Sequence, residues 1–390
     1  MTQFLNRVSW DRKLDVKTPD QMKEPRAEEK FILRDRQSSG GTMDVLVVVD
    51  NFIAGTMLPC RRLLDSIEPG TGAVWAKVPD SGKLEVDAAV VAAKRAFAKK
   101  VRGCGIRRSF AAEQWVTVRR LQVVTGAGFG GYSFRMTNDG CRIQAGGNNA
   151  AVVFSDCDLE RCVATLRRNS FINQGETRLC TSRIFVEESL HDEFLSTFVD
   201  AVRELRVGPP SDEGFFMGAI VSKTQLEKIR EYINSALEER GTVLCGEGID
   251  VCYVPDANKN GFFMRPTVIS GLQADSRCLK EEIAGPVVCV VPFSTEAEAV
   301  SLVNKTCLSQ GASIWTSNLV VAHRLAHRLK VRKVWTNCWS SSELDAPSEM
   351  ETDSGKAALA ARDDLEFFTL PKTVTTMVLH EEEGEELDFY

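Results

Sequence analysis

Apolar and polar residues along this chain switch repeatedly between two periods. Helical spacing marks three stretches. "EVDAAVVAAKRAFAKK" (85–100) is rich in Ala and Lys, with its apolar positions on one face. "LHDEFLSTFVDAVRELRVG" (190–208) puts Phe194, Phe198, Val202 and Leu205 on one stripe and closes at a glycine. "SKTQLEKIREYINSALEERG" (222–241) opens on a serine suited to cap a helix and also closes on glycine. Between them lie short β-rich runs: "AAVVFS" (150–155), "SRIFVE" (182–187), "PVVCVVPF" (286–293) and "ASIWTS" (312–317). Alternation at this spacing predicts an α/β domain around a largely parallel, buried sheet.

Residues 101–145 break the rhythm, being Gly- and Arg-rich without an internal repeat. They contain a G-x-G-x-x-G arrangement, Gly126, Gly128 and Gly131, after the β-like "LQVV". A nucleotide-binding turn would need a helix to follow, with its N-terminus facing the phosphates. "YSFRMTNDGCR" follows instead, broken by a turn at Asn138-Asp139-Gly140, so the run reads as a glycine-rich loop.

Composition narrows the class. The chain has 390 residues, 43% hydrophobic and 26% charged, with formal net charge −6. That suits a globular protein with a real core and argues against a nucleic-acid partner, which calls for a basic surplus. The 12 cysteines are scattered without a C-x-x-C. Cys157 and Cys162, like Cys245 and Cys252, have no histidines at zinc spacing, so reduced thiols in a cytoplasmic core are expected and no metal. His323 and His327 lie four apart on a predicted helix, with no third ligand nearby in sequence. The longest apolar runs, such as "VLVVV" (45–49), are too short to span a bilayer, so no membrane partner is expected. Residues 1–42 read as a charged, weakly structured extension, too acidic for a transit peptide, and 381–390 as an acidic tail.

Several segments carry a family resemblance. "DNFIAGTMLPC", "DSIEPGTGAVWAKVPDSGKLEVDAAVVAAKRAF", "AGGNNAAVVFSDCDLERC", "FINQGETRLCTSRIFVEES", "GFFMRPTVI", "EEIAGPVVCVVPF" and "VWTNCW" occur in the order, and with the look, of aldehyde dehydrogenase superfamily motifs. The likeness is greatest to the 2-aminomuconic semialdehyde (retinal-type) dehydrogenases. It implies an α/β fold with a three-layer catalytic domain and, here, a truncated nucleotide-binding domain. The expected divisions are a cofactor-domain remnant at 43–148, the catalytic-type domain at 149–340, and a degenerate segment at 341–380. Within the last, "PKTVTTMVL" (371–379) resembles the family's oligomerisation strand.

The resemblance also implies a chemistry: NAD-dependent oxidation of an aldehyde to an acid. A thiolate attacks the carbonyl, donors hold the oxyanion, hydride passes to nicotinamide, and a carboxylate activates water. Aligning "NQG" with "TSR" puts Arg178 in the nucleophile slot, and a guanidinium is no nucleophile. Cys180 matches the second cysteine of a Cys-Leu-Cys variant. In extended backbone it would point the same way as residue 178 but roughly 6–7 Å away. Arg178 is expected to favour its thiolate, which makes Cys180 reactive but at most a weak stand-in for the nucleophile, a structural thiol being the default. Gln144 takes the place of the base, where an amide cannot accept a proton. Glu282 matches the glutamate that binds the nicotinamide ribose, while Ala284 replaces the aromatic two residues on. Only about 30 residues stand where the family carries most of its nucleotide domain. The expectation is a pseudoenzyme with NAD binding lost. Alternatives are a non-enzymatic partner, as homo-oligomer or hetero-oligomer with intact family members, or an incomplete gene product.

Overall fold

The structure, a computed structural model, describes residues 47–100, 146–306 and 308–339, with the backbone of short strands at 351–352 and 355–356. The expectations for 1–42, for the glycine run at 126–131, for Gln144 and for the 371–379 strand lie outside the described residues.

The first segment forms a small lobe. Strands β1 (Val47–Val48), β4 (Leu63–Ile67) and β5 (Val74–Pro79) make a three-stranded sheet in the order β1-β5-β4. Strands β2 (Asn51–Ile53) and β3 (Thr56–Leu58) form a hairpin, and helix α1 (Lys83–Lys100) follows β5. The β4–β5 turn docks on the larger body: Asn258 Nδ2 donates to Gly70 O at 2.8 Å and Phe262 N to Pro69 O at 2.9 Å.

The larger body is a seven-stranded sheet in the order β12-β11-β6-β7-β10-β9-β8. Its strands are β6 (Asn149–Val153), β7 (Thr181–Glu187), β8 (Thr242–Cys245), β9 (Thr267–Ser270), β10 (Val287–Phe293), β11 (Gly311–Trp315) and β12 (Lys333–Thr336). All pairings are parallel except β8 with β9, at the edge. Side chains alternate across the pleat, so each central strand feeds two cores. On one face Ala151 and Val153 of β6, with Ile184 and Val186 of β7, meet α2 (Leu159–Phe171) and α3 (His191–Arg203). On the other, Ala150, Val152 and Phe185 meet α4 (Lys223–Glu238), the short α5 (Arg277–Lys280), α6 (Glu296–Val303) and α7 (Leu319–Arg328). Burial on both faces is why β6 and β11 are buried along their whole length and lack an alternating polar face.

The helices form where their caps and stripes predict. Ser222 Oγ accepts from Gln225 N at 3.1 Å and starts α4. On α3, Phe194 and Phe198 stack with centroids 5.4 Å apart, both fully buried, each contributing roughly 1.5–3 kcal/mol by leaving water. That helix ends at Arg203, short of the predicted 208. Leu205 and Val207 continue its apolar spacing but are buried from the following loop, which is held by Gly208 N to Met217 O at 3.0 Å. Among the described residues no helix is long and apolar enough to cross a membrane.

Candidate active site

Among the described residues, the glycine–asparagine segment, the cysteine loop and the Glu282 loop meet at the amino ends of the parallel strands. The hub is Gly146-Gly147-Asn148-Asn149, which leads into β6. A Cβ at Gly146, whose φ is +91°, would overlap the Glu282 carboxylate, and one at Gly147 would overlap Arg178 O. Only glycine permits both approaches. Gly147 N donates to Glu282 Oε1 at 2.8 Å, which fixes the loop ahead of β10 against the hub.

The two asparagines extend the joinery. Asn149 Nδ2 donates to Arg178 O at 2.7 Å and Cys180 O at 3.0 Å, while its Oδ1 accepts from Gln310 N and Gly311 N, both at 3.0 Å. Asn148 Nδ2 donates to Leu279 O at 3.2 Å and Glu281 O at 3.1 Å, and its Oδ1 accepts from Ser182 Oγ at 2.7 Å. Arg183, with no exposed surface, donates from Nε and a terminal nitrogen to Asn148 O at 3.2 and 2.7 Å. Its other terminal nitrogen donates to Leu302 O at 3.2 Å, at the carboxyl end of α6, where a cation suits the helix dipole. Burial lowers the Arg183 pKa to about 9. Sequence reasoning missed all three residues; the signal was a polar pair opening an otherwise apolar strand, and an arginine inside one.

The loop 172–180 corrects one expectation. Residues 178–180 are not extended. Asn173 and Gln174 take left-handed backbone at φ +51° and +58°, and Cys180 N donates to Thr177 O at 2.9 Å, closing a turn with Arg178 and Leu179 at its corners. Side chains two apart therefore diverge: Arg178 is exposed and Cys180 buried. The Cys180 thiol donates to Ile172 O at 3.5 Å. Burial raises its pKa, opposed by hydrogen bonds from Thr177; Arg178 plays no part, contrary to the expected thiolate stabilisation.

The charges nearby are weakly coupled. Partial burial lowers the Arg178 pKa, as does the neighbouring Arg332, while Glu282 acts to raise it. Burial raises the Glu282 carboxyl, with the Gly147 N–H, Lys228 and Arg178 pulling the other way. Beside them Glu176 is pushed up to about 7 by burial, against the Val221 N–H that its oxygens accept at 3.2 and 3.3 Å. Free space among Ser170, Gly175, Cys180, Glu282 and Ala284 is about 20 Å³, enough for one water. A larger hollow of about 380 Å³ opens at the carboxyl ends of the strands, where open α/β sheets more often bind ligands. Its carboxylates are already engaged: Asp156 by Thr316 and Ser317, Glu187 by Ser155 N, and Glu296 by Arg324. Among the described residues no group of three or more His, Cys, Asp or Glu could hold a metal.

The glycine–asparagine hub, the cysteine loop and the Glu282 loop thus converge on one place. The family model for the aldehyde dehydrogenase family matches residues 137–374, well over half of the chain. The chain belongs to the aldehyde dehydrogenase family. It is similar to 2-aminomuconic semialdehyde dehydrogenase of Bos taurus, 47% identical over 233 residues, which is 60% of this chain and 48% of that protein. 2-Hydroxymuconic semialdehyde dehydrogenase of Pseudomonas putida is 32% identical over 232 residues, covering 60% and 47%. The chain thus spans about half the length of the curated relatives it matches. Among solved structures, betaine aldehyde dehydrogenase of Staphylococcus aureus in complex with NAD+ aligns with TM-score 0.55 and 30% identity, covering 58% of this chain and 44% of that one. Lactaldehyde dehydrogenase of Escherichia coli aligns with TM-score 0.52 and 26% identity, covering 57% and 45%. In this aldehyde dehydrogenase-family chain, the large, mostly parallel sheet is consistent with the fold of those relatives.

Proposed function

We propose that this aldehyde dehydrogenase-family protein has lost dehydrogenase turnover, or retains it only in severely impaired form. On this reading the ancestral reaction is NAD-dependent oxidation of a semialdehyde to its carboxylic acid, the substrate class named in its muconic semialdehyde relatives. The turn at 177–180 carries the proposal. A guanidinium points outward where the resemblance puts the nucleophile, and the Cys180 thiol points inward at a backbone carbonyl. A permanently cationic side chain cannot attack a carbonyl, and a buried thiol with a raised pKa supplies little thiolate. About 20 Å³ of free space leaves no room for an aldehyde beside that sulfur. An amide at Gln144 in place of the base is part of the same proposal.

The cofactor side points the same way. Glu282 Oε1 is taken by Gly147 N, and Ala284 offers no ring for a nicotinamide to pack on. These residues do not fit a dinucleotide, which supports loss of NAD binding. The test is NADH formation from NAD and a semialdehyde by the wild type and by Arg178→Cys, with NAD titrated calorimetrically. Neither protein should form NADH, since several parts of the catalytic unit are altered and repairing one recovers little. NAD- and aldehyde-dependent turnover by either protein at an ordinary enzymatic rate, about 1 s⁻¹ or faster, or micromolar NAD affinity, would overturn the proposal.

A second reading, a non-catalytic partner of intact family members, rests on one observation. The small lobe exposes large apolar side chains, among them Phe52 at 68%, Trp75 at 52% and Leu84 at 82%. Such surfaces mark association sites. Co-elution with an intact family member in size-exclusion chromatography would support it, and separate elution would count against it.

A further inference from the structure

Cys157 and Cys162 have no role in the site just described. They lie at the far end of α2, beside the carboxyl ends of the strands. Asp158 caps this helix, its carboxylate accepting from Arg161 N at 3.1 Å. Cys157 is therefore the residue just before the cap and Cys162 the fourth residue of the helix. In a helix start these two positions face each other, and an apolar pair there forms a staple. Both backbones are held, Cys157 N by Phe154 O at 3.1 Å and Cys162 N by Asp158 O at 2.9 Å. Cys162 belongs to the buried cluster beside the sheet, and Cys157 packs against that cluster from its edge.

Two small apolar groups would suffice for a staple, so the question is whether the thiols differ in reactivity. They do. Cys157 is half-buried and reachable from solvent, whereas Cys162 has no exposed surface. The neighbouring Cys162 thiol lowers the Cys157 pKa, outweighing burial and the Asp156 and Asp158 carboxylates, while burial drives Cys162 far up. Burial also raises Cys180, Cys245 and Cys252, which removes competition from those thiols. An accessible thiol beside a buried one is the arrangement of an oxidant-sensing cysteine with its resolving partner.

We propose that Cys157 and Cys162 are a hydroperoxide-responsive pair, Cys157 being oxidised first and Cys162 resolving it to a disulfide that locks the first turn of α2. In the first step the Cys157 sulfur attacks a peroxide oxygen. The S–O bond forms and the O–O bond breaks. The leaving oxygen takes the thiol's proton and departs as water from hydrogen peroxide, or as an alcohol from an organic hydroperoxide, and Cys157 becomes a sulfenic acid. In the second step the Cys162 sulfur attacks the Cys157 sulfur. The S–S bond forms, the S–O bond breaks, and the departing hydroxide takes the Cys162 proton as water. The peroxide is reduced by two electrons and the pair oxidised by two, so no free buried thiolate has to persist.

Trypsin makes the test direct, because cleavage after Arg161 puts the thiols on separate peptides, 143–161 and 162–167. The purified full chain is treated with hydrogen peroxide, quenched with catalase, alkylated, digested and read by mass spectrometry. The expected product joins the two peptides, lies about 2 Da below their summed mass, reverts with dithiothreitol and dominates among oxidised forms of Cys157. Cys162→Ala should leave Cys157 as a dimedone-trappable sulfenic acid, although the wild-type digest alone decides the matter. Cys157 found as sulfinic acid with Cys162 still alkylatable, or Cys157 unchanged after peroxide, would overturn the proposal.

Discussion

Asn149→Ala tests how the centre is held together. The Asn149 side chain makes four hydrogen bonds, two donated to Arg178 O and Cys180 O and two accepted from Gln310 N and Gly311 N. Its residue is 1% exposed, and Cys180, Gln310 and Gly311 are buried as well. Truncation deprives four backbone groups of their partner at once. A buried polar group left unpaired costs about 1–3 kcal/mol, whereas a made bond contributes only about 1. Four full penalties would overshoot, because Arg178 O lies near solvent and a water can enter the space vacated by the amide. Two to three penalties at the lower end, with the lost packing, give a destabilisation of about 4 kcal/mol. Against a stability of roughly 5–15 kcal/mol for a natural domain, that is a large fraction. Urea unfolding followed by far-ultraviolet circular dichroism reads it as a lower midpoint at unchanged slope. Asn149→Asp should be at least as damaging, since two of the four partners are carbonyl oxygens that would face a carboxylate. A loss below about 1 kcal/mol for the alanine variant would refute the reasoning and show that the hub is held by its glycines and Asn148 instead.

Glu176→Gln should change how stability depends on pH. The carboxyl is displaced upward from 4.5 to about 7 by burial, so the folded state keeps its proton after the unfolded chain has lost it. Stability is therefore full below about pH 4.5, falls as pH rises, and levels off above about 7. The full displacement corresponds to about 3 kcal/mol, and the side chain's residual exposure reduces this to about 1–2. Glutamine can still accept from Val221 N, so the variant should match the wild type near pH 4 and exceed it near pH 8; parallel curves would refute this. Cys180 should react with iodoacetamide at least about 100-fold more slowly in the folded protein than in urea, because its sulfur is buried and its pKa raised. Reaction at the unfolded rate would show that the 172–180 loop opens freely or that Cys180 is poised for attack.

What the sequence conveys well about this fold is what burial alone decides. Strands β6, β7, β10 and β11 are predominantly apolar and largely buried because helices cover both faces of the sheet. Helices α3 and α4 announce themselves through stripes and caps. The misreadings occur where a hydrogen bond between distant segments overrides a local pattern. "TRLCTSRI" has the alternation of a strand, yet its first four residues turn, and the reason lies outside the segment. Asn149, 29 residues upstream of Arg178, draws the carbonyls of Arg178 and Cys180 onto one amide, and Gly147 lets the chain approach closely enough for this to happen. A distant contact also holds Glu282, which the resemblance assigns by position to a ribose: Gly147 N donates to its carboxylate at 2.8 Å. Charge, period and motif order are properties of neighbouring residues; the orientation of a nucleophile or an acid depends on which distant backbone group reaches it first. In this family member the same glycine–asparagine hub that holds the sheet's amino-end architecture also fixes the turn that buries Cys180, so stability of the fold and placement of that thiol rest on the same few hydrogen bonds.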